Sequence, residues 1–163
     1  MMLMTVGTQK FPFDRLLKKV DSLIERGMII DRVTAQIGYS KYRPVHYSYV
    51  DFLPEEKFNI LIQKSDILLT HGGIGTITKG LLLKKKVIII PRMKEYGEHV
   101  DNHQIEIGEE FSKRGYTLLC KDIEKLDEKI EEVYKKEFRE FNFSWCQTAE
   151  YIQEYLENLG ENC

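Results

Sequence analysis

Several common signatures are missing from this sequence, and each absence narrows the field. There are only three cysteines, Cys120, Cys146 and Cys163, in 163 residues, and no pair has CxxC spacing. Neither a disulfide framework nor a zinc site is indicated, and a reducing cytoplasm suits the chain. No long apolar run is present. Val87 to Ile90 is far too short to cross a bilayer. The opening MMLMTVG has no basic leader and reads as a first strand, not a signal peptide. If the protein works at a membrane, something else must hold it there. Neither charge sign dominates: the net charge is −2, which argues against a chain whose main task is gripping nucleic acid. GxxxxGK[ST] does not occur, and the first strand is not followed by GxGxxG, which disfavours a P-loop enzyme and a nucleotide-dependent oxidoreductase.

What remains is an ordinary globular composition, 42% apolar and 31% charged, in a length that suits one domain with a real core. Short apolar runs alternate with helical stripes. Strands are expected at Leu3 to Val6, Arg32 to Ile37, Tyr47 to Val50, Ile67 to Leu69, Val87 to Ile90 and Tyr116 to Leu119. The stripe Phe13, Leu16, Leu17, Val20, Leu23, Ile24 predicts the first helix. Further helices are expected from Pro54 to about Lys64, from Ile74, from Asp101 to about Arg114, with Asp101 and Gln104 in capping-box spacing, and from Ile123 to about Phe138. Strand–helix alternation with short connections predicts an α/β fold, a Rossmann-like, doubly wound parallel sheet. Residues 1–138 form this domain, and residues 139–163 a C-terminal helical tail. Phe138, Phe141, Phe143 and Trp145, then Tyr151, Ile152, Tyr155, Leu156 and Leu159, either pack the tail on its own domain or form a docking face for a partner.

The chemistry concentrates in Asp66 to Gly80, DILLTHGGIGTITKG. A strand enters a turn containing His71, Gly72, Gly73 and Gly75, and a helix leaves it. Unpaired amides and the positive end of the helix dipole make such a turn an anion site, and a phosphorylated ligand suits it. A tight turn alone also requires glycine. In doubly wound sheets ligands sit outside the carboxyl ends of the strands. That rule gathers Gly7, Thr8, Gly38, Phe52, His71 to Gly75 and Arg92 on one rim.

Three segments in this order, VGTQKFPFDRL, SDILLTHGGIGT and PRMKEYGEHVDNHQ, resemble the donor-binding C-terminal domain of family-28 glycosyltransferases. They are most similar to stand-alone versions: the catalytic subunit of the two-part dolichol-linked N-acetylglucosaminyltransferase and bacterial subunits of capsule and exopolysaccharide synthesis. The resemblance covers roughly Met1 to Leu119 and implies one half of a GT-B glycosyltransferase. Such proteins bind a UDP-sugar as substrate, with no metal and no cofactor tightly held. A membrane-associated partner subunit supplies the acceptor half, and the acceptor is a saccharide on a polyprenyl pyrophosphate. The implied location is cytoplasmic, at the membrane face through that partner. Transfer inverts the anomeric centre.

On this resemblance Gly72, Gly73, Gly75 and Thr76 offer amides to the diphosphate, and Arg92 adds positive potential. Asn102, His103 and Gln104 meet sugar and phosphates, Phe52 and Leu53 lie along the uracil, and Gly7 and Thr8 face the interdomain cleft. Alternatives stay open at several positions: His71 bonding only its own turn, Arg92 and Lys94 as solvated loop charges, His99 and His103 as surface residues, Asn102 and Gln104 as helix caps. Glu95, Glu98 and Asp101 are read as surface charge and capping. No catalytic base is assigned, because relatives with both halves in one chain have theirs in the acceptor half. One departure stands out. Relatives often place an acid, which meets the donor ribose, where this chain has Lys79. A second reading is therefore a non-catalytic enhancer of a membrane-associated transferase.

Overall fold

The computed structural model describes residues 1–142, and its six strands form one sheet, parallel throughout, in the order β3-β2-β1-β4-β5-β6. The strands are β1 (Met2–Thr5), β2 (Val33–Gln36), β3 (Ser48–Val50), β4 (Ile67–Thr70), β5 (Lys86–Ile89) and β6 (Leu118–Leu119). The helices are α1 (Asp14–Glu25), α2 (Glu55–Lys64), α3 (Ile74–Leu82), α4 (His103–Lys113) and α5 (Leu126–Lys135), with 3-10 turns at Lys94–Tyr96 and Ile123–Lys125. The Rossmann-like doubly wound reading therefore holds. The last expected strand shrinks to two residues, and the last expected helix starts as a 3-10 turn and stops at Lys135. Most of the tail beyond Phe141, including Trp145 and the stripe from Tyr151, lies outside the described residues. Phe138 packs on one core layer, and Phe141 sits edge-on against Tyr116 at 5.2 Å.

Alternation along the strands divides the core. In β4, Ile67 and Leu69 join Met4, Ile88 and Ile90 beneath α1 and α5, against Leu16, Leu17, Val20, Leu126 and Ile130. Leu68 joins Leu3, Val87 and Ile89 on the other face, against Ile62, Ile77, Leu81, Ile107 and Phe111 from α2, α3 and α4. Both faces are covered, which explains why the central strands are apolar at successive positions.

The chain runs outward from β1 through β2 to β3, then returns to the middle and lays β4 against the other side of β1. The connections leaving β1 and β4 thus diverge, and a crevice opens between them at the carboxyl ends of the strands. The glycine turn lies at that switch point.

Candidate functional site

The turn after β4 is built around one imidazole. His71 is 8% exposed, yet two glycines from different loops touch its ring. A Cβ placed on Gly7 would stand 2.5 Å from His71 Cε1, and one placed on Gly73 would stand 2.5 Å from His71 Nε2. Gly7 also has a φ of +77°, which disfavours any other residue. Burial, with the nearby Arg92 charge second, pulls the His71 pKa down to about 4, so the ring is neutral at physiological pH. It forms a hydrogen bond with the Thr5 backbone. The first loop and the glycine turn are thereby joined through a single side chain.

A second brace comes from α4. Gln104 is buried, and its Oε1 accepts from Gly72 N at 3.0 Å and from Arg92 N at 3.1 Å. A Cβ on Gly72 would lie 2.5 Å from Gln104 Cβ and 2.8 Å from its Cα and carbonyl oxygen. The beginning of α4 therefore presses directly on the turn, and only glycine allows that approach. The expected capping box is not formed. Gln104 turns away to the glycine turn, while Asp101 Oδ1 accepts from His103 N at 3.1 Å. Asn102 Oδ1 accepts from Lys94 N, tying α4 to the loop before it. His103 is half-buried and pairs with Glu106.

Arg92 requires a correction. It was expected as a cation on the rim, but its side chain is fully buried beneath it. Its guanidinium donates to the carbonyls of Val6, Phe11, Pro12 and Glu98 and lies over the Phe13 ring. Burial lowers its pKa to about 10, so it remains charged. Arg92 braces the first loop from below through Nη1 and Nη2, which bond backbone carbonyls, while its buried Nε has no partner among the described residues. Glu98, expected at the surface, is 4% exposed; it holds Arg15 through both carboxylate oxygens and accepts from Met93 N. Nothing in the sequence pattern around Arg92 separates an interior cation from an exposed one.

The amides of the helix that leaves the turn stay open. Gly73 is the N-cap of α3, no side chain caps the helix, and its first turn has no acid. Thr76 N and Ile77 N are already used, both bonding to Gly73 O at 3.1 Å. The amides of Ile74 and Gly75 precede any intrahelical acceptor. Ile74 and Gly75 are exposed, and nothing lies within 4 Å of where a Gly75 Cβ would be. An anion reaching this corner meets amide dipoles at a helix N-terminus, with no side chain in the way.

The rim continues to an aromatic lip. Phe52, 45% exposed, packs edge-to-face against Tyr39, 51% exposed, with centroids 5.0 Å apart. Leu53 N donates to Gln36 Oε1 at 3.0 Å. The loop bearing Tyr39 is anchored by buried Asp21, which accepts from Tyr42 Oη, Val45 N and His46 N at 2.5, 2.9 and 2.8 Å. Nothing in the sequence marks Tyr39, because an aromatic in a polar loop has no periodicity. Thr8 is exposed beside Gly7. Lys79, on the second turn of α3, bonds Asn59 Oδ1 at 2.6 Å and pairs with Glu55 at 3.6 Å, linking α3 to the start of α2. The structure thus brings His71, Gly72, Gly73, Gln104 and Gly7 into one cluster, and places Phe52 and Leu53 along the rim from it.

Residues 1–158 match the glycosyltransferase family 28 C-terminal domain, and the chain belongs to that family. Among curated relatives, the human protein named UDP-N-acetylglucosamine transferase subunit ALG13 is 29% identical over 130 residues, covering 71% of this chain but 10% of that protein. The Candida albicans protein of the same name is 34% identical over 67 residues, covering 41% of this chain and 22% of its own length. The chain therefore spans a small part of the curated relatives it matches. A solution structure of ALG13 superposes with a TM-score of 0.62 at 20% identity, covering 93% of both chains. The glycosyltransferase of kitacinnamycin superposes at 0.64 and 14% identity, over 83% of this chain and 35% of that one. Acinetobacter baumannii MurG gives 0.58 at 14% identity, over 81% and 40%. At these identities the solved structures show a shared fold.

Proposed function

We propose that this chain is the donor-binding subunit of a two-component inverting glycosyltransferase. It holds a UDP-sugar with the diphosphate at the α3 N-terminus and the uracil along Tyr39, Phe52 and Leu53. The observation carrying this reading is the uncapped start of α3, with open amides at Ile74 and Gly75, standing at the topological switch point of the sheet. Negative charge accumulates on the departing UDP as the sugar–phosphate bond breaks. Fixed amide dipoles stabilise that charge without reorganising. The Gln104 and His71 braces hold those dipoles in place before the ligand arrives.

The acceptor proposed is a saccharide on a polyprenyl pyrophosphate, presented by a membrane-associated partner chain that also supplies the general base. No described helix is long and apolar enough to cross a membrane, and attachment through the partner at the cytoplasmic face is part of the proposal. The family membership and the subunit names of the relatives support it. Calorimetric titration of the full chain with UDP tests the donor site. Saturable binding that Gly73→Leu abolishes is expected, and unchanged binding by that variant removes the glycine turn from the site. Transfer assays with and without the partner test the division of labour: the chain alone should be nearly inactive, and full activity alone would refute it.

One observation favours the second reading, a non-catalytic enhancer. Lys79 is engaged by Asn59 and Glu55 and has no carboxylate of its own to offer a ribose. On that reading UDP binds poorly even with the partner present, which the titration repeated with the partner added distinguishes.

A further inference from the structure

We propose that the groove between residues 27–31 and α5 is a docking site for a basic amphipathic segment of another protein. It lies at the amino end of the sheet, opposite the glycine turn, and the proposal does not depend on the donor reading. The connection from α1 to β2 passes Met28, Ile29 and Ile30. Ile29 enters the core at 3% exposure, while Met28 and Ile30 face outward at 51% and 91%. Tyr134, from the last turn of α5, is 49% exposed beside them. With the edge of Ile130 they form an apolar floor in a groove of about 850 Å³. Along α5 the groove runs from Asp127 to Tyr134, roughly 10 Å at the helical rise, enough for about two turns of an incoming helix.

Charge specifies the occupant. The described lining residues include Asp31, Asp127, Glu128 and Glu131 and no lysine or arginine. Asp31 is held by the Met1 amino group and Tyr134 Oη, and Glu131 by Lys135. Asp127 and Glu128 have no ion-pair partner among the described residues and stand at the first turn of α5. A segment with one apolar stripe and flanking lysines or arginines satisfies floor and rim together. The chain itself offers no such match here. Residues 143–163 contain Glu150, Glu154, Glu157 and Glu161 and neither lysine nor arginine, so the tail would set acid against acid. A second copy docking the same groove by two-fold symmetry would do likewise.

The test uses the full chain and two labelled peptides, an amphipathic Leu/Lys helix and its Leu/Glu counterpart, followed by fluorescence anisotropy. The Leu/Lys peptide should bind saturably and the Leu/Glu peptide should not. Ile30→Lys and Glu128→Lys should each weaken binding about tenfold or more, and saturating UDP should not compete. Ile30 and Glu128 are exposed, so neither change should threaten the fold, which circular dichroism checks. Hydrogen exchange should show the bound peptide protecting residues 27–31 and α5. No saturable binding, equal affinity for the two peptides, equal affinity of the variants, or protection elsewhere would overturn the proposal.

Discussion

Two ends of one rim are built on opposite plans. At the glycine corner nearly everything is spent internally: Gln104 fills two buried amides, Arg92 fills backbone carbonyls, and His71 fills the space between two loops. At the aromatic lip, Tyr39 and Phe52 stand half out of the protein with only each other's edges for cover. The corner achieves an exact shape by burying its supports, and the lip keeps its apolar surface free. On the proposed reading the difference suits a diphosphate, which needs fixed dipoles, and a planar base, which needs an exposed face.

Substitutions that strike the corner should cost stability, and those that strike the lip should cost binding only. Arg92→Ala is expected to have the largest effect. It strips the donors from the carbonyls of Val6, Phe11 and Glu98 and leaves a cavity over Phe13, about 4 kcal/mol or more in urea unfolding. A loss below about 1 kcal/mol would mean that water replaces the guanidinium. Gln104→Ala comes next, since it leaves the Gly72 and Arg92 amides unsatisfied, at about 2–4 kcal/mol, with UDP binding lost as the turn relaxes. Gln104→Glu, which retains an oxygen able to accept from both amides, should recover part of the stability.

His71 gives the corner a pH dependence that the lip lacks. Its ring binds a proton more weakly folded than unfolded. Stability therefore falls as pH drops from about 6.5 towards 4, by at most about 3 kcal/mol, and this contribution stops changing below that. His71→Asn should flatten that part of the profile relative to the parent. Parallel profiles would show that the ring is not held neutral.

Gly75→Ala separates shape from stability within the corner. The site is open and helical, so the fold should be unchanged or stabilised by up to about 1 kcal/mol. If a ligand approaches the Gly75 amide, UDP affinity should nevertheless fall about tenfold. Unaltered affinity would move the diphosphate away from α3. The smallest stability effects are expected at the lip: Tyr39→Ala and Phe52→Ala should stay near 0.5 kcal/mol while weakening UDP binding several-fold. A lip variant that unfolds the protein would erase the contrast.

Much of this was legible in the sequence, for physical reasons that can be named. The central strands announce themselves because both faces are buried. The run from Ile67 to Leu69 is such a strand. The glycine turn was legible because strand, glycines and helix follow one another locally. The braces were not. Gln104 reads as a cap from its spacing with Asp101, and only the closeness of α4 to Gly72 diverts its amide to the turn. Arg92 looks like a loop charge because sequence has no way to show that Val6, Phe11 and Glu98 turn their carbonyls toward it. Tyr39 and Phe52 are thirteen positions apart, and only the pairing of β2 with β3 sets them edge to face.

The lodging of His71 between Gly7 and Gly73 has a mechanical consequence. Two loops that share one ring as a common hinge pin cannot flap separately. On the proposed two-component reading, shutting out solvent during transfer would fall to the partner that docks across the cleft.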